Sequence, residues 1–147
     1  MNVDRDPLGE GPYPLTGPWA VFARVAFFGS LAAILIAVFL PARMVPQFVR
    51  SHYLQHFAAF YVATLFGMAA APRAKLRSVS LWLLTFGTAV ELSHLAAGAP
   101  LKPLIDNWVA DVGGVVAALA PAFIERFRRR FPPRLSDVGP SIQKPLT

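Results

Sequence analysis

Long apolar stretches, separated by short polar or Pro-containing segments, dominate the chain. Four such stretches can be marked, at 19–40, about 53–71, 79–97 and 108–124. Each is close to the roughly 20 residues that a helix needs to cross the hydrocarbon core of a bilayer. Polar positions do not recur at the 3.6-residue period that the helices of a soluble bundle show on their outer faces. The pattern therefore predicts an all-α integral membrane protein with four transmembrane helices.

Composition supports the membrane class. Hydrophobic residues make up 55% of the 147 residues, and the mean hydropathy of +0.49 is well above that of a soluble domain of this size. The segment before the first apolar stretch carries three acidic residues against one Arg, unlike the basic start of a cleaved signal peptide, so we expect this stretch to be a retained span. Because the chain has no Cys, disulfides and thiolate metal sites are excluded.

The predicted organisation has three parts. A Pro/Gly-rich tail covers 1–18, the four-helix membrane domain covers 19–124, and a basic, Pro-rich tail covers 125–147. The loops between the apolar stretches are short, which favours an up-down antiparallel bundle. Both extended tails are rich in Pro and polar residues and have few apolar residues with which to order themselves.

The distribution of basic residues predicts the orientation in the membrane. With four spans both termini share one side, and of the 14 Lys and Arg residues only Arg43, Arg50 and Lys102 fall on the other side. By the positive-inside rule both termini are predicted to be cytoplasmic, in a multi-pass protein of the bacterial inner membrane. The net charge of +6 is then mainly a topology signal, and no nucleic-acid partner is predicted.

A cluster of basic and aromatic residues, "ERFRRRFPPR", follows the last apolar stretch. Interleaved Arg and Phe side chains suit contact with anionic lipid headgroups, although a simple stop-transfer anchor explains the pattern equally well. The candidate headgroup-binding residues are Arg126, Arg128, Arg129 and Arg130.

Small residues recur every four positions in the second and fourth stretches. Such stripes allow helix backbones to approach closely in lipid, where apolar burial does not drive helix association. We therefore expect the second and fourth helices to lie inside the bundle. The predicted packing residues are Ala59, Ala63 and Gly67 in the second stretch and Ala110, Gly114 and Ala118 in the fourth.

Polar residues of three stretches are predicted to lie at one depth. The third span ends at the outer side of the membrane, where the second and fourth begin. Ionisable residues in spans are costly and usually face the bundle interior and one another. The resulting outer-leaflet cluster would contain three pairs, each sharing a helix face: His52 and His56, Glu91 and His94, and Asn107 and Asp111.

Three segments carry a resemblance to the VanZ-like membrane proteins: "HFAAFYVATLFGMAAAPR", "VELSHL" and "DNWVADVGGVVAAL". They correspond to a His-Phe pair opening the second span, a Glu in the third, and an Asp/Asn pair four residues apart followed by glycines in the fourth. The resemblance covers about residues 41–124. The positions carried over are His56, Glu91, Asn107, Asp111 and Gly114.

The chain also departs from the family pattern. His52 and Tyr53 stand where the family has Asp-Lys, His94 replaces a Gln, and the loop Arg has no counterpart except Lys102. The order of Asp and Asn in the fourth span is reversed. The namesake of the family is linked to low-level glycopeptide resistance, but the resemblance supplies no biochemical activity.

These residues bear on three classes of function: an enzyme, a cofactor-binding protein and an accessory subunit. An enzyme could use Glu91 or Asp111 with a His as general acid and base, but the sequence has no nucleophile motif, phosphate-binding loop or HExxH spacing. We therefore predict neither catalytic residues nor a metal site. Any cofactor is unknown: His56 or His94 could ligate a haem or a chlorophyll, but a membrane His is more often hydrogen-bonded within a polar cluster.

The class that the sequence favours is a non-catalytic accessory or assembly subunit, packed against a larger membrane complex such as a respiratory or photosynthetic one. Its partners would be membrane lipids and other membrane protein subunits. The alternative is an independent envelope protein that handles a lipid-linked or cell-wall ligand at the outer-leaflet cluster, as in glycopeptide resistance.

Overall fold

The computed structural model describes residues 17–40, 44 and 51–131, and these ranges contain four helices. They are α1 (Pro18–Phe39), α2 (His52–Ala70), α3 (Leu76–Ala96) and α4 (Leu101–Arg128). No strand occurs in these ranges. The all-α prediction is thus confirmed for the described residues. Most of the predicted N-terminal tail, the segments 41–43 and 45–50 with Arg43 and Arg50, and the end of the C-terminal tail lie outside them.

Pro and Gly residues set several of the helix ends. Pro18 occupies the first turn of α1, where a missing N–H costs nothing. Leu40, after α1, is extended, as expected for a residue that precedes Pro. The short turn between α3 and α4 contains Gly98 with φ of +88°, a conformation that favours Gly.

Helix α4 differs most from its predicted extent. The apolar pattern predicts a span over 108–124, whereas the helix runs from Leu101 to Arg128. Hydropathy misses its ends because they are polar, and i,i+4 ion pairs support them: Lys102 Nζ lies 3.0 Å from Asp106 Oδ2, and Arg129 Nε lies 2.9 Å from Glu125 Oε1. The helix continues through the first residues of the basic cluster, past the predicted start of the C-terminal tail at 125.

Helix α2 has the most neighbours in the bundle. It packs against α1, α3 and α4, most extensively against α4, while α4 also packs against α3. Residues from all four helices form the buried core: Leu31, Phe60, Ala63, Leu83, Val115 and Leu119. Helix α1 is attached mainly through α2, and most of its surface is exposed.

Side-chain neighbours give the relative directions of α2, α3 and α4. Residues near the start of α2 lie beside the end of α3, as His56 does beside Glu91. The same part of α2 lies beside the first half of α4, as His56 does beside Asp111. Farther along α2, Gly67 lies beside Val79 near the start of α3. Helices α2 and α3 are therefore antiparallel, which agrees with the predicted up-down order for this part of the chain.

Three helices, α1, α3 and α4, are long and apolar enough to cross a membrane. Helix α2 has 19 residues, but its first turns carry His52, Gln55 and His56, which lower its hydropathy. These findings indicate a membrane protein.

Candidate functional site

The close crossing of α2 and α4 at Gly114 positions the candidate site. A Cβ atom added to Gly114 would overlap the backbone carbonyl oxygen of Phe57 and lie 2.9 Å from the backbone nitrogen of Tyr61. Only a residue without a side chain allows the two backbones to approach this closely. The sequence-predicted packing residues Ala63, Gly67, Gly114 and Ala118 are buried, and Ala59 and Ala110 are partly buried.

One turn from this crossing, α2 and α4 form a polar contact. His56 precedes Phe57, and Asp111 lies on the same face of α4 as Gly114. The Nδ1 atom of His56 is 3.0 Å from Oδ1 of Asp111, a hydrogen bond whose donor depends on the tautomer of the imidazole. Asp111 is only 2% exposed. The backbone approach at Gly114 thus brings a His and a buried carboxylate into direct contact.

Helix α3 contributes a second buried carboxylate. Glu91 is 5% exposed, and its Oε1 atom lies 3.9 Å from His56 Nδ1. Its Oε2 atom lies 3.6 Å from Nδ1 of His94, one turn later on the same helix. Neither oxygen of Glu91 has a hydrogen-bond partner among the described residues. Such a group is rare in native proteins, because leaving a buried polar atom unpaired is costly.

Gly87 provides the space in which these groups meet. A Cβ atom on Gly87 would lie 2.9 Å from Cζ of Phe60 and 3.4 Å from Oδ2 of Asp111. A larger residue would therefore push against the core aromatic ring and against the carboxylate. This glycine, which the sequence reasoning did not single out, keeps α3 close to both neighbouring helices.

The remaining predicted cluster residues lie around this centre. His52 is exposed, with its ring centroid 4.8 Å from that of His56. His94 is partly exposed, and its Nδ1 atom lies 3.6 Å from Oε2 of Glu91. Asn107 is 6% exposed, and its Oδ1 atom has no hydrogen-bond partner among the described residues. The structure thus places His56, Glu91 and Asp111 together and the other three at their margin.

One contact between α3 and α4 was not predicted from the sequence. Nε1 of Trp108 donates a hydrogen bond of 3.0 Å to Oγ1 of Thr88. Trp108 is exposed on a helix apolar enough to span a membrane. An indole N–H in apolar surroundings needs a hydrogen-bond partner, and this rule would have prompted a search for an acceptor on a neighbouring helix. The contact ties the second half of α3 to the first half of α4.

The basic cluster lies at the other end of α4. Arg126 and Arg128 belong to its last turn, and Arg129 and Arg130 follow directly. All four residues are exposed, and Arg129 is paired with Glu125 at 2.9 Å. This arrangement leaves most of the basic surface accessible at the helix end.

Chemically, the centre combines one imidazole and two carboxylates from three helices. One ligand-type atom from each of His56, Glu91 and Asp111 can be chosen so that all lie within 4.8 Å of one another. Such a group can share protons or bind a cation. Comparison of the chain with protein-family models, with curated proteins and with solved structures finds no match.

Proposed function

We propose that the chain is a VanZ-like integral membrane protein that serves as a non-catalytic accessory or assembly subunit of a larger membrane complex. All four helices would cross the bacterial inner membrane, with both termini in the cytoplasm. In this arrangement the first turns of α2 and α4 and the end of α3 lie toward the outer leaflet. The basic end of α4 lies at the cytoplasmic headgroups, where positive charge is favoured.

Burial of the polar centre is the observation that carries this proposal. Asp111, Glu91 and Asn107 are 2%, 5% and 6% exposed, so their polar atoms offer little surface to a substrate. Removing one partner from a buried, mutually facing set of charges is strongly destabilising. A polar centre of this kind fastens α2, α3 and α4 to one another, which is a structural role.

The outer surface of the helices supports a role in association. Helix α1 buries only Ala20, Ala23 and Leu31, and large apolar side chains project from the rest of it. The exposed aromatic residues on this helix are Trp19, Phe22, Phe28 and Phe39. Lipid and the helices of a neighbouring subunit are both suitable surroundings for this surface.

A mild-detergent extraction of the native membrane tests the accessory role. We expect the chain to migrate with a large complex, whose other subunits mass spectrometry would identify. Phe28→Ala removes an exposed ring from α1 and should weaken this co-migration if α1 forms the interface, while Phe123→Ala on exposed α4 surface serves as a control. Migration of the chain alone, both in several mild detergents and in lipid particles excised without detergent, would contradict the proposal.

A second candidate function is that of an independent envelope protein handling a lipid-linked or cell-wall ligand. The observation that favours it is that both Glu91 oxygens lack a hydrogen-bond partner within the described part of the chain, beside the partly exposed His94. This function predicts that the isolated chain retains a co-purifying lipid that Glu91→Gln loses. Extraction and mass spectrometry of bound lipids separate it from the accessory role.

A further inference from the structure

Three helices bring the donor set of a metal site to one buried point. His56 on α2, Glu91 on α3 and Asp111 on α4 each offer an atom, and these atoms lie within 4.8 Å of one another. The three residues are far apart in the sequence, so no ligand-spacing motif reveals them. Their grouping depends on the helix crossings at Gly114 and Gly87.

The distances are close to those of a coordination sphere. Ligands about 2.1 Å from a tetrahedral ion are about 3.4 Å from one another. The distance from His56 Nδ1 is 3.0 Å to Asp111 Oδ1 and 3.9 Å to Glu91 Oε1, which brackets that value. The set as a whole lies within 4.8 Å, so side-chain rotations that shorten the longer distances would place all three atoms around one ion.

Charge balance also favours a divalent cation. Two carboxylates that face each other in a buried site repel, and a protonated His56 would compensate only one of them. A divalent ion compensates both, while a neutral imidazole supplies the third ligand. The site would then carry no net charge within a largely apolar bundle.

The unpaired oxygens provide an independent indication of a ligand. Glu91 is more than nine-tenths buried and directs Oε1 toward His56, yet neither of its oxygens accepts a hydrogen bond from a described residue. Oδ1 of Asn107, one turn before Asp111, is likewise buried and has no hydrogen-bond partner in the ranges that the structure describes. Unpaired buried acceptors next to donor atoms with metal-ligand spacing are what a cation would satisfy.

We propose that His56, Glu91 and Asp111 bind one divalent transition-metal ion, Zn²⁺ or Mn²⁺. One imidazole with two carboxylates suits these ions, whereas Mg²⁺ prefers a shell made of oxygens alone. Oδ1 of Asn107 and water would supply further ligands, and the exposed His52 marks the side from which the ion enters. The proposed metal site does not depend on whether the protein is an accessory subunit or an envelope protein, because all three ligands belong to the helix bundle itself.

The alternative is a hydrogen-bonded cluster without metal, in which His56 donates to Asp111 and Glu91 holds a proton. Metal analysis of the full-length chain separates the two. The protein should be purified in mild detergent through an affinity tag that contains no histidine, stripped with a chelator, and loaded with Zn²⁺, Mn²⁺ or Mg²⁺ alone. We expect about one Zn²⁺ or Mn²⁺ per chain after removal of free metal, with little Mg²⁺.

Thermal unfolding of the wild-type chain provides a measurement that does not depend on variants. An ion bound to the folded state alone stabilises that state, so loading should raise the unfolding midpoint by several degrees and chelation should reverse the change. If the loaded chain retains no transition metal and its unfolding midpoint is the same with metal and with chelator, the proposal is wrong. Retention of Mg²⁺ in place of Zn²⁺ and Mn²⁺ would also overturn it.

Matched substitutions locate the site. Glu91→Gln and Asp111→Asn keep the side-chain shape and should weaken metal binding at least about tenfold. The controls are Asp106→Asn, a carboxylate on α4 paired with Lys102, and Glu125→Gln, paired with Arg129. Both controls should bind metal like the wild type. Equal loss of metal in a control and in its matched variant would show that the metal lies elsewhere and would overturn the assignment.

Discussion

Replacement of Gly114 by Ala tests whether the α2–α4 crossing determines both the stability of the bundle and the geometry of its polar centre. The added Cβ would overlap the carbonyl oxygen of Phe57, and the backbone nitrogen of Tyr61 would lie 2.9 Å from it. Both obstacles are backbone atoms, so no side-chain rotation relieves the overlap. The two helices must move apart at this point.

The expected cost follows from two opposing effects. Overpacking in a closely packed interior costs about 1–3 kcal/mol, and an overlap with backbone belongs in the upper part of that range. The higher helix propensity of Ala offsets about 1 kcal/mol of this. Gly114→Ala should therefore lower the free energy of unfolding by about 1–2 kcal/mol. For a chain of this length, the unfolding midpoint should fall by about 2–8 °C.

Two other glycines provide matched controls. A Cβ on Gly29 would meet nothing within 4 Å, and a Cβ on Gly113 would lie 3.4 Å from the ring of Phe57, an ordinary contact distance. Both Ala variants should be as stable as the parent or slightly more stable. Thermal unfolding in one detergent, followed by Trp fluorescence or size-exclusion chromatography, compares the three variants. If Gly114→Ala melts at the same temperature as Gly29→Ala, the backbone contact at Gly114 is not what limits the approach of α2 and α4.

Further predictions concern the polar centre, the orientation and the C-terminal tail. Glu91→Ala should lower the free energy of unfolding by about 3–5 kcal/mol if Glu91 is charged against a His, and so reduce the amount of detergent-stable protein. Glu91→Gln should cause a smaller loss. Accumulation equal to that of the exposed control Glu125→Ala would contradict a structural role. A reporter fused after Thr147 should be active only in its cytoplasmic form, and activity of a periplasm-specific reporter there would reverse the orientation. Deleting 135–147 should leave membrane insertion intact but weaken association with the partner complex; unchanged co-migration would exclude this tail from the interface.

Helix positions could be predicted from the sequence because they depend on local properties. Long apolar runs and flanking Pro residues predict α1 to within a residue or two at either end. The same reasoning failed at the ends of α4, where polar residues continue the helix from Leu101 to Arg128 through i,i+4 pairs. Hydropathy reports which solvent surrounds a helix, whereas hydrogen bonding and local ion pairs decide where it ends.

Sequence position also indicated the depth of each polar residue along its helix. Depth alone could not show that His56, Glu91 and Asp111 meet while His52 stays exposed. That outcome depends on how each helix is rotated about its axis and how closely it approaches its neighbours.

The adjacent glycines of α4 illustrate the difference. Gly113 and Gly114 are equivalent in composition and hydropathy, yet a side chain is excluded by backbone only at Gly114. Successive residues point about 100° apart around a helix, so a rotation of α4 by that angle would bring Gly113 to the direction that Gly114 now faces. The sequence determined that this chain forms apolar helices with polar groups near one end. Packing between the helices fixed their rotation, and that rotation decided which of those polar groups share a buried centre.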